Sequence, residues 1–238
     1  MTEKPSRKTN SIILTFTGDT SSSGIFDQIV RSNTCLEDPI VSSDIIDFFR
    51  LGDEVIVNLE GPITDKPCSK TKGSCVSSSP AFARVLRALG VTVLNLANNH
   101  MTDCGIEGLA DTLSIARDNG MYTVGAGADL DEASRPLVLE RKGISVALIA
   151  TTHFEGITAT NNSPGVFCAE KDFSLARSII ADIKNRYDWV VMNYHGGEEY
   201  VHIPMPRRRR LMRRFLDLGV DVIICHHPHV VQGYEQFG

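Results

Sequence analysis

The chain has 238 residues, of which 42% are hydrophobic and 22% charged, and its formal net charge is −5 at pH 7. This length can bury a sizeable core, the composition is that of a soluble globular protein, and the acidic balance argues against a nucleic-acid partner. No apolar run approaches the ~20 residues that cross a bilayer, so we expect no transmembrane segment. The start, MTEKPSRKTN, has no apolar stretch behind its charges, so we expect no signal peptide and a cytoplasmic location.

Six cysteines are spread along the chain without a C-x-x-C pair, which argues against a zinc knuckle and a thioredoxin-type motif. Cys68 and Cys75 flank a polar loop and would form a disulfide in an oxidising compartment. The sequence favours the alternative that Cys68 and Cys75 are free thiols in a reducing cytoplasm.

The first half of the chain alternates buried strands with helices, behind a tail at 1–11 that we expect to be mobile. Strands are predicted at 12–17, 55–58 and 91–96, and helices at 43–50, 80–90 and 105–119, while 20–41 shows no clear pattern. Each of these strands is followed by polar side chains that can bind a metal. These are Asp19, Glu60, and the pair Asn99 and His100.

The second half continues the alternation, with a β-hairpin (136–140 and 144–150) after a short strand at 122–124 and a loop at 152–170. Helices are predicted at 172–185 and 207–218. The strand 190–194 ends at His195, and the strand after Asp221 ends at Pro228, which turns His227 and His229 into a cleft while His226 faces elsewhere. The pattern predicts an α/β fold with parallel βαβ units, in a single domain from 12 to 238.

Five predicted strands therefore end in potential metal ligands. In an open α/β sheet, ligands bind beyond the carboxyl ends of the strands, so groups far apart in sequence would converge there. Carboxylate, amide and imidazole ligands without thiolate suit Mn, Fe or Zn and argue against a structural zinc site. Six or seven such ligands exceed the needs of one ion and predict two divalent ions ~3.5–4 Å apart, with Glu60 as the bridge.

Several motifs resemble the CapA family of poly-γ-glutamate capsule biosynthesis proteins. They are GD at 18–19, NLEGPIT at 58–64, NLANNHMTDCGIEGLADTL at 95–113, HGGEEY at 195–200 and GVDVIICHHPHVVQGYE at 219–235. That family is related in fold to the calcineurin-like metallophosphoesterases, which implies a two-sheet αββα sandwich flanked by helices. Relatives continue beyond the position of Gly238 into another strand, so we expect the last strands of the sandwich to be missing here.

The resemblance also implies residue roles. Metal ligands fall at Asp19, Glu60, Asn99, His195, His227 and His229, and His100 takes the position of the histidine that assists the leaving group. Asn98 supports the turn, and Glu199 with Tyr200 matches the EY pair of the family, which suggests that they orient a ligand histidine. Asp103 is expected to shape the next helix or to support the site.

Two features of the sequence leave alternatives open. Phosphoesterases usually carry a histidine two residues after the first aspartate, where this chain has Ser21, so one metal site would lack a ligand. The arginine run at 207–214, including Arg207 and Arg210, is either a solvated helix face or a surface for a phosphorylated or poly-glutamate-type substrate. His153 and His202 match no strand-end pattern and are expected to be non-functional.

Three functions compete on this basis. The first is a metal-dependent enzyme of capsule or exopolymer synthesis that acts on a phosphate ester or acyl phosphate. The second is a soluble metallophosphoesterase with a small substrate. The third is a non-catalytic scaffold that assists a membrane-bound polymer synthetase, since family members are often associated with the membrane or envelope.

Overall fold

A computed structural model describes residues 11–32, 41–68, 75–153 and 156–237. The strands are β1 (Leu14–Thr20), β2 (Glu54–Leu59), β3 (Val93–Asn95), β4 (Tyr122–Val124), β5 (Ala126–Gly127), β6 (Leu137–Arg141), β7 (Ile144–Thr152), β8 (Gly165–Val166), β9 (Trp189–His195) and β10 (Val222–His226). The helices are α1 (Ile25–Ser32), α2 (Ser43–Phe49), α3 (Pro80–Ala88), α4 (Gly105–Asp118), α5 (Leu130–Ser134), α6 (Phe173–Ile183) and α7 (Pro206–Leu218).

The strands form two four-stranded sheets and a small ladder. Sheet 1 has the order β1-β2-β3-β4 with all pairs parallel. Sheet 2 has the order β10-β9-β7-β6, in which only the β6–β7 hairpin is antiparallel. β5 pairs with β8 in a two-stranded antiparallel ladder.

The alternation of side chains along β2 shows why the two sheets pack as they do. Val55, Val57 and Leu59 point to one face and join the core under α3 and α4. Ile56 points to the other face and packs in a second core together with Leu148 of sheet 2. Every residue of β2 is buried, as expected for a parallel strand that is covered on both faces.

Sheet 2 is also covered on both faces, by sheet 1 on one side and by helices on the other. Leu148 of β7 faces sheet 1, whereas Ile149 packs in a third core with Ile180 of α6 and Phe215 of α7. The layers are therefore helix, sheet, sheet and helix, and the predicted αββα sandwich is confirmed.

Several local predictions need correction. β1 runs from Leu14 to Thr20 rather than over 12–17, and 20–41 contains α1, whose eight residues are too short for a clear apolar pattern. α5 and β8 were missed because they have five and two residues. Residues 1–10 of the predicted tail and Gly238 lie outside the described residues.

The cysteine prediction is also wrong in this structure. Cys68 and Cys75 are joined in a disulfide with a Cα–Cα distance of 6.4 Å. Cys68 and Cys75 lie close enough to bond, which a separation of seven positions could not establish from the sequence alone.

Candidate metal centre

The carboxyl ends of both sheets meet at one rim, and Asp19 lies at its middle. The pairing of β1 with β2 shifts register between Phe16 and Asp19, and such an irregularity redirects a side chain. Asn58 Nδ2 donates to Asp19 Oδ1 at 2.6 Å, and the backbone N–H of His227 donates to Asp19 Oδ2 at 3.2 Å. His229 Nδ1 lies 3.3 Å from Asp19 Oδ2. Asp19 of sheet 1 thus contacts the turn that ends sheet 2.

His195, the last residue of β9, is fully buried, and both of its ring nitrogens lie next to amide groups. His195 Nε2 lies 2.8 Å from Asn99 Oδ1. His195 Nδ1 lies 3.2 Å from Asn58 Nδ2. Burial, followed by the neighbouring histidines, holds the pKa of His195 well below its ordinary value. His195 is therefore a neutral imidazole, the form in which histidine binds metals.

Glu60 and His100 form the other side of the rim. Glu60 is buried, and burial followed by the Asp19 carboxylate raises its pKa. His100 Nε2 lies 3.9 Å from Glu60 Oε1, while His100 Nδ1–H donates to Asp103 Oδ2 at 2.7 Å. Asp103 also accepts from the backbone N–H of Val76 at 3.0 Å, so the carboxylate that holds the His100 ring is itself held.

The turn after β10 presents the last two histidines. His227 has φ of 94° and His229 has φ of 54°, a left-handed conformation that is unfavourable for residues other than glycine. His227 Nε2 lies 3.9 Å from Glu199 Oε1, and the Tyr200 ring lies 5.8 Å from the ring of His229. Glu199 and Tyr200, the EY pair, thus both lie next to the histidines of this strained turn.

Among the described residues of the rim, two groups of three side chains are compact enough to hold a metal ion. Asp19, Glu60 and His229 have ligand atoms within 4.8 Å of one another, and so do Glu199, His227 and His229. Glu199, expected to support the site, is thus placed as a possible ligand. His229 belongs to both groups.

The spacing of the donor atoms fits a metal centre. Two ligand atoms bound ~2.1 Å from one ion at right angles are about 3.0 Å apart. His195 Nε2 and Asn99 Oδ1 are 2.8 Å apart, and His229 Nδ1 and Asp19 Oδ2 are 3.3 Å apart. Neutral imidazole, carboxylate and amide oxygen are also the ligand types that Mn, Fe and Zn accept.

Some neighbours of the rim were not recognised in the sequence. The ring of His153, which follows directly after β7, lies 5.2 Å from that of His227, and its position at a strand end was the signal that could have revealed it. Asn58 links Asp19 to His195 and accepts from Asn95 Nδ2 at 2.6 Å. His226 is buried as well, and burial lowers its pKa, while the charge of Asp19 acts in the opposite direction.

The remaining candidates take varied positions. Asn98 fastens its turn, because its Nδ2 donates to the Leu59 carbonyl at 2.7 Å and its Oδ1 accepts from the His100 N–H at 3.2 Å. Ser21 Oγ lies 3.1 Å from Ser23 Oγ. His202 is exposed, 3.4 Å from the carbonyl of Val231.

The arginines of α7 line a groove of about 390 Å³ beside the loop that follows His195. Arg207 Nη2 donates to Glu198 Oε1 at 2.5 Å, and Glu198 precedes the Glu199 of the rim. Among the described residues, no carboxylate is recorded within ion-pair distance of Arg210. The groove is lined by Glu170, Arg207, Arg208, Arg210, Leu211 and Arg214.

Comparison with known proteins shows the family of the chain. The model of the bacterial capsule synthesis protein family PGA_cap matches residues 13–237. The chain belongs to the PGA_cap family. The resemblance to CapA proteins that the motifs indicate is thereby confirmed.

The curated PGA_cap relatives include the PGA biosynthesis protein CapA of Bacillus subtilis, 34% identical over 194 residues that cover 79% of this chain and 50% of the relative. The capsule biosynthesis protein CapA of Bacillus anthracis is 33% identical over 198 residues, covering 80% and 48%. A probable polyglutamine synthesis accessory protein of Mycobacterium tuberculosis is 32% identical over 199 residues, covering 77% and 52%. The chain spans about half the length of these relatives.

Solved structures share the fold of this PGA_cap chain at low sequence identity. A structure described as a novel phosphatase of Mycoplasma pneumoniae has a TM-score of 0.53 at 16% identity and covers 93% of this chain and 66% of that one. A hypothetical protein of Thermus thermophilus has a TM-score of 0.52 at 15% identity, with coverage of 92% and 69%. Within the described residues, no helix has the length and apolarity to span a membrane.

Proposed function

We propose that this chain is a metal-dependent hydrolase of the phosphoesterase type that serves poly-γ-glutamate capsule or exopolymer synthesis. The observation that carries the proposal is the convergence of ligand atoms from both sheets on the Asp19 carboxylate. The family and the names of its curated members supply the biological context, and the phosphatase among the similar folds is consistent with the chemistry.

The donor set is suited to two divalent ions, Mn, Fe or Zn. Asp19, Glu60 and His229 would hold one, with His195 and Asn99 adjoining them, and Glu199 and His227 would hold the other. Such ions lower the pKa of a water molecule and stabilise negative charge on phosphoryl oxygens. His195, as a neutral imidazole, and Glu60, buried at the rim, would both bind such an ion.

His100 is the proposed catalytic residue. Its Nδ1–H is committed to Asp103, so Nε2 is the atom that faces the rim and carries a proton to the leaving oxygen. Asp103 keeps the ring in this orientation and stabilises the positive charge that the ring carries before transfer. Tyr200 positions the turn at His227 and His229, since its backbone N–H donates to the Pro228 carbonyl at 2.8 Å.

The arginine groove is the proposed binding surface for the anionic part of the substrate. Four arginines and one glutamate line it, so its lining is positive although the whole chain is acidic. α7 also begins with arginines and has no acidic side chain in its first turn, an arrangement that a bound anion would stabilise. Arginine pairs with phosphate and carboxylate alike, so the groove fits a phosphorylated precursor or a poly-glutamate chain.

Metal analysis combined with turnover tests the proposal. We expect the purified chain to bind two Mn, Fe or Zn ions and to hydrolyse a generic aryl phosphate. His100→Ala should keep both ions and lose turnover. The control variant His202→Ala should keep both ions and full turnover. Absence of bound metal after incubation with all three ions, or turnover that survives His100→Ala, would contradict the proposal.

A non-catalytic scaffold for a membrane-bound polymer synthetase is the second candidate. Ser21 in place of the usual histidine leaves one ion a ligand short, and the Mycobacterium tuberculosis relative is described as a probable accessory protein. Two bound ions without turnover of aryl phosphates, acyl phosphates or poly-γ-glutamate would favour this candidate over the enzyme. Hydrolysis of small phosphate esters alone would favour a soluble phosphoesterase outside polymer synthesis.

A further inference from the structure

A third group of potential metal ligands lies beside the start of α4. It consists of the disulfide-bonded Cys68 and Cys75 and the free thiol of Cys104. Cys68 Sγ lies 3.6 Å from Cys104 Sγ, and the three sulfur atoms are within 4.8 Å of one another. This group is not apparent in the sequence, because Cys104 follows Cys75 by 29 positions and no C-x-x-C pair is present.

The spacing of the sulfurs is that of a thiolate metal site. With a metal–sulfur bond of ~2.3 Å and tetrahedral angles, two thiolates on one ion are about 3.8 Å apart. Cys68 and Cys104 already have nearly this separation. Once the disulfide is opened, the Cys75 sulfur must move by only about 2 Å from its bonded position to reach the same separation.

We propose that Cys68, Cys75 and Cys104 form a redox-controlled site for a soft divalent cation such as Zn²⁺. In the oxidised chain the disulfide occupies two of the ligands, and no cation binds. Reduction takes two electrons from two molecules of a low-molecular-weight thiol, which leave as their own disulfide, and places one proton on each of Cys68 and Cys75. Binding of the cation then displaces three protons, one from each cysteine.

The chemistry of this site differs from that of the rim. Three thiolates select a soft cation, whereas the carboxylates, amide and imidazoles around Asp19 suit harder ones. Cys104 is buried, and burial raises the pKa of its thiol, so the thiol keeps its proton until a cation displaces it. The two sites can therefore be loaded and observed separately.

The cysteine site is nevertheless connected to His100. Cys75 Sγ lies 3.9 Å from the carbonyl oxygen of Asp103, and the next residue, Val76, donates its N–H to the Asp103 carboxylate. That carboxylate holds the ring of His100. Exchange of the disulfide for a bound cation moves Cys75 and so acts on the peptide that orients His100.

Cobalt and cadmium titrations test the proposal, because thiolate ligands produce a charge-transfer absorption that nitrogen and oxygen ligands do not. The full chain, reduced with a thiol and exchanged into anaerobic buffer, should develop the band with a single equivalent of cation at the cysteines. The oxidised chain should not. Cys104→Ser and Cys68→Ser should each diminish the band, while Cys168→Ala, a matched change at a buried free thiol elsewhere, should keep it.

The outcome is independent of hydrolase activity. His229→Ala should leave the band unchanged, so a failure at the rim cannot be mistaken for a failure at the cysteines. A reduced chain without the band, or a band that Cys104→Ser leaves at full strength, would overturn the proposal. Melting curves of each variant establish that it is folded before the titration is interpreted.

Discussion

The two sheets contribute different chemistry to the same rim. Sheet 1 ends in the oxygen donors Asp19, Glu60 and Asn99, whereas sheet 2 ends in the nitrogen donors His195, His227 and His229. Their closest contacts run across the sandwich, from Asp19 to His229 and from Asn99 to His195. The group Asp19, Glu60 and His229 draws on both sheets, so the packing of one sheet on the other creates this candidate site.

The largest expected loss of metal and turnover comes from removing a ligand side chain of either sheet. Asp19→Ala and His229→Ala should both lower metal content and reduce turnover roughly a thousandfold or more, because each removes several kcal/mol of transition-state stabilisation. Metal analysis and aryl phosphate kinetics provide the measurement. If either variant alone leaves metal content and turnover intact, the two sheets do not share a centre.

A smaller loss is expected when the link between the sheets is cut without removing a ligand. Asn58 contacts Asp19 and His195, so Asn58→Ala should weaken metal affinity about 10- to 100-fold, as for other residues that orient ligands. Titration calorimetry gives the affinity, and a melting curve separates this effect from instability. Unchanged metal affinity would show that Asn58 is not needed to orient Asp19 and His195.

Asp27 belongs to α1, in the helical layer outside sheet 1, and contributes to the stability of the fold rather than to the rim. Burial alone would raise the pKa of Asp27, but hydrogen bonds from Ser79, Arg31 and Ser22 outweigh it and hold the pKa at about 2 instead of 3.8. A lowered pKa in the folded state means that this stabilisation, about 2 kcal/mol, is present above pH ~4 and is lost as pH falls through about 2.

Asp27→Asn should therefore lower the free energy of unfolding by about 2 kcal/mol at pH 7, with a difference that shrinks on acidification. Urea denaturation at pH 7 and at pH 3 measures both values. Metal content at pH 7 should not change. A difference that grows toward low pH would contradict the assignment.

The smallest effect is expected in the groove beside the rim. Arg210→Ala should raise the KM for an anionic polymer about two- to fivefold and leave kcat unchanged, because an exposed arginine contributes little binding energy. Arg117→Ala on α4 is the matched control. Equal effects of the two changes would mean that the groove has no special role and that only the overall charge matters.

The strand ends were readable from the sequence because each combines a buried apolar run with a polar residue where the run stops. Glu60 after β2 and His195 at the end of β9 could be found this way. Asn58 could not, since it lies within a strand and its role depends on reaching Asp19 and His195 on different strands. His153 was missed because the residues that follow β7 have the sequence pattern of a plain loop.

The sequence by itself determined the α/β alternation and the ligand types that the strands carry, since both follow from local periodicity and from residue chemistry. Only the tertiary structure decided that sheet 2 is placed with its histidines against Asp19, and that Cys104 meets the Cys68–Cys75 disulfide. Those contacts join residues that are far apart in the chain, and their geometry depends on how whole layers pack, which no short stretch of sequence encodes.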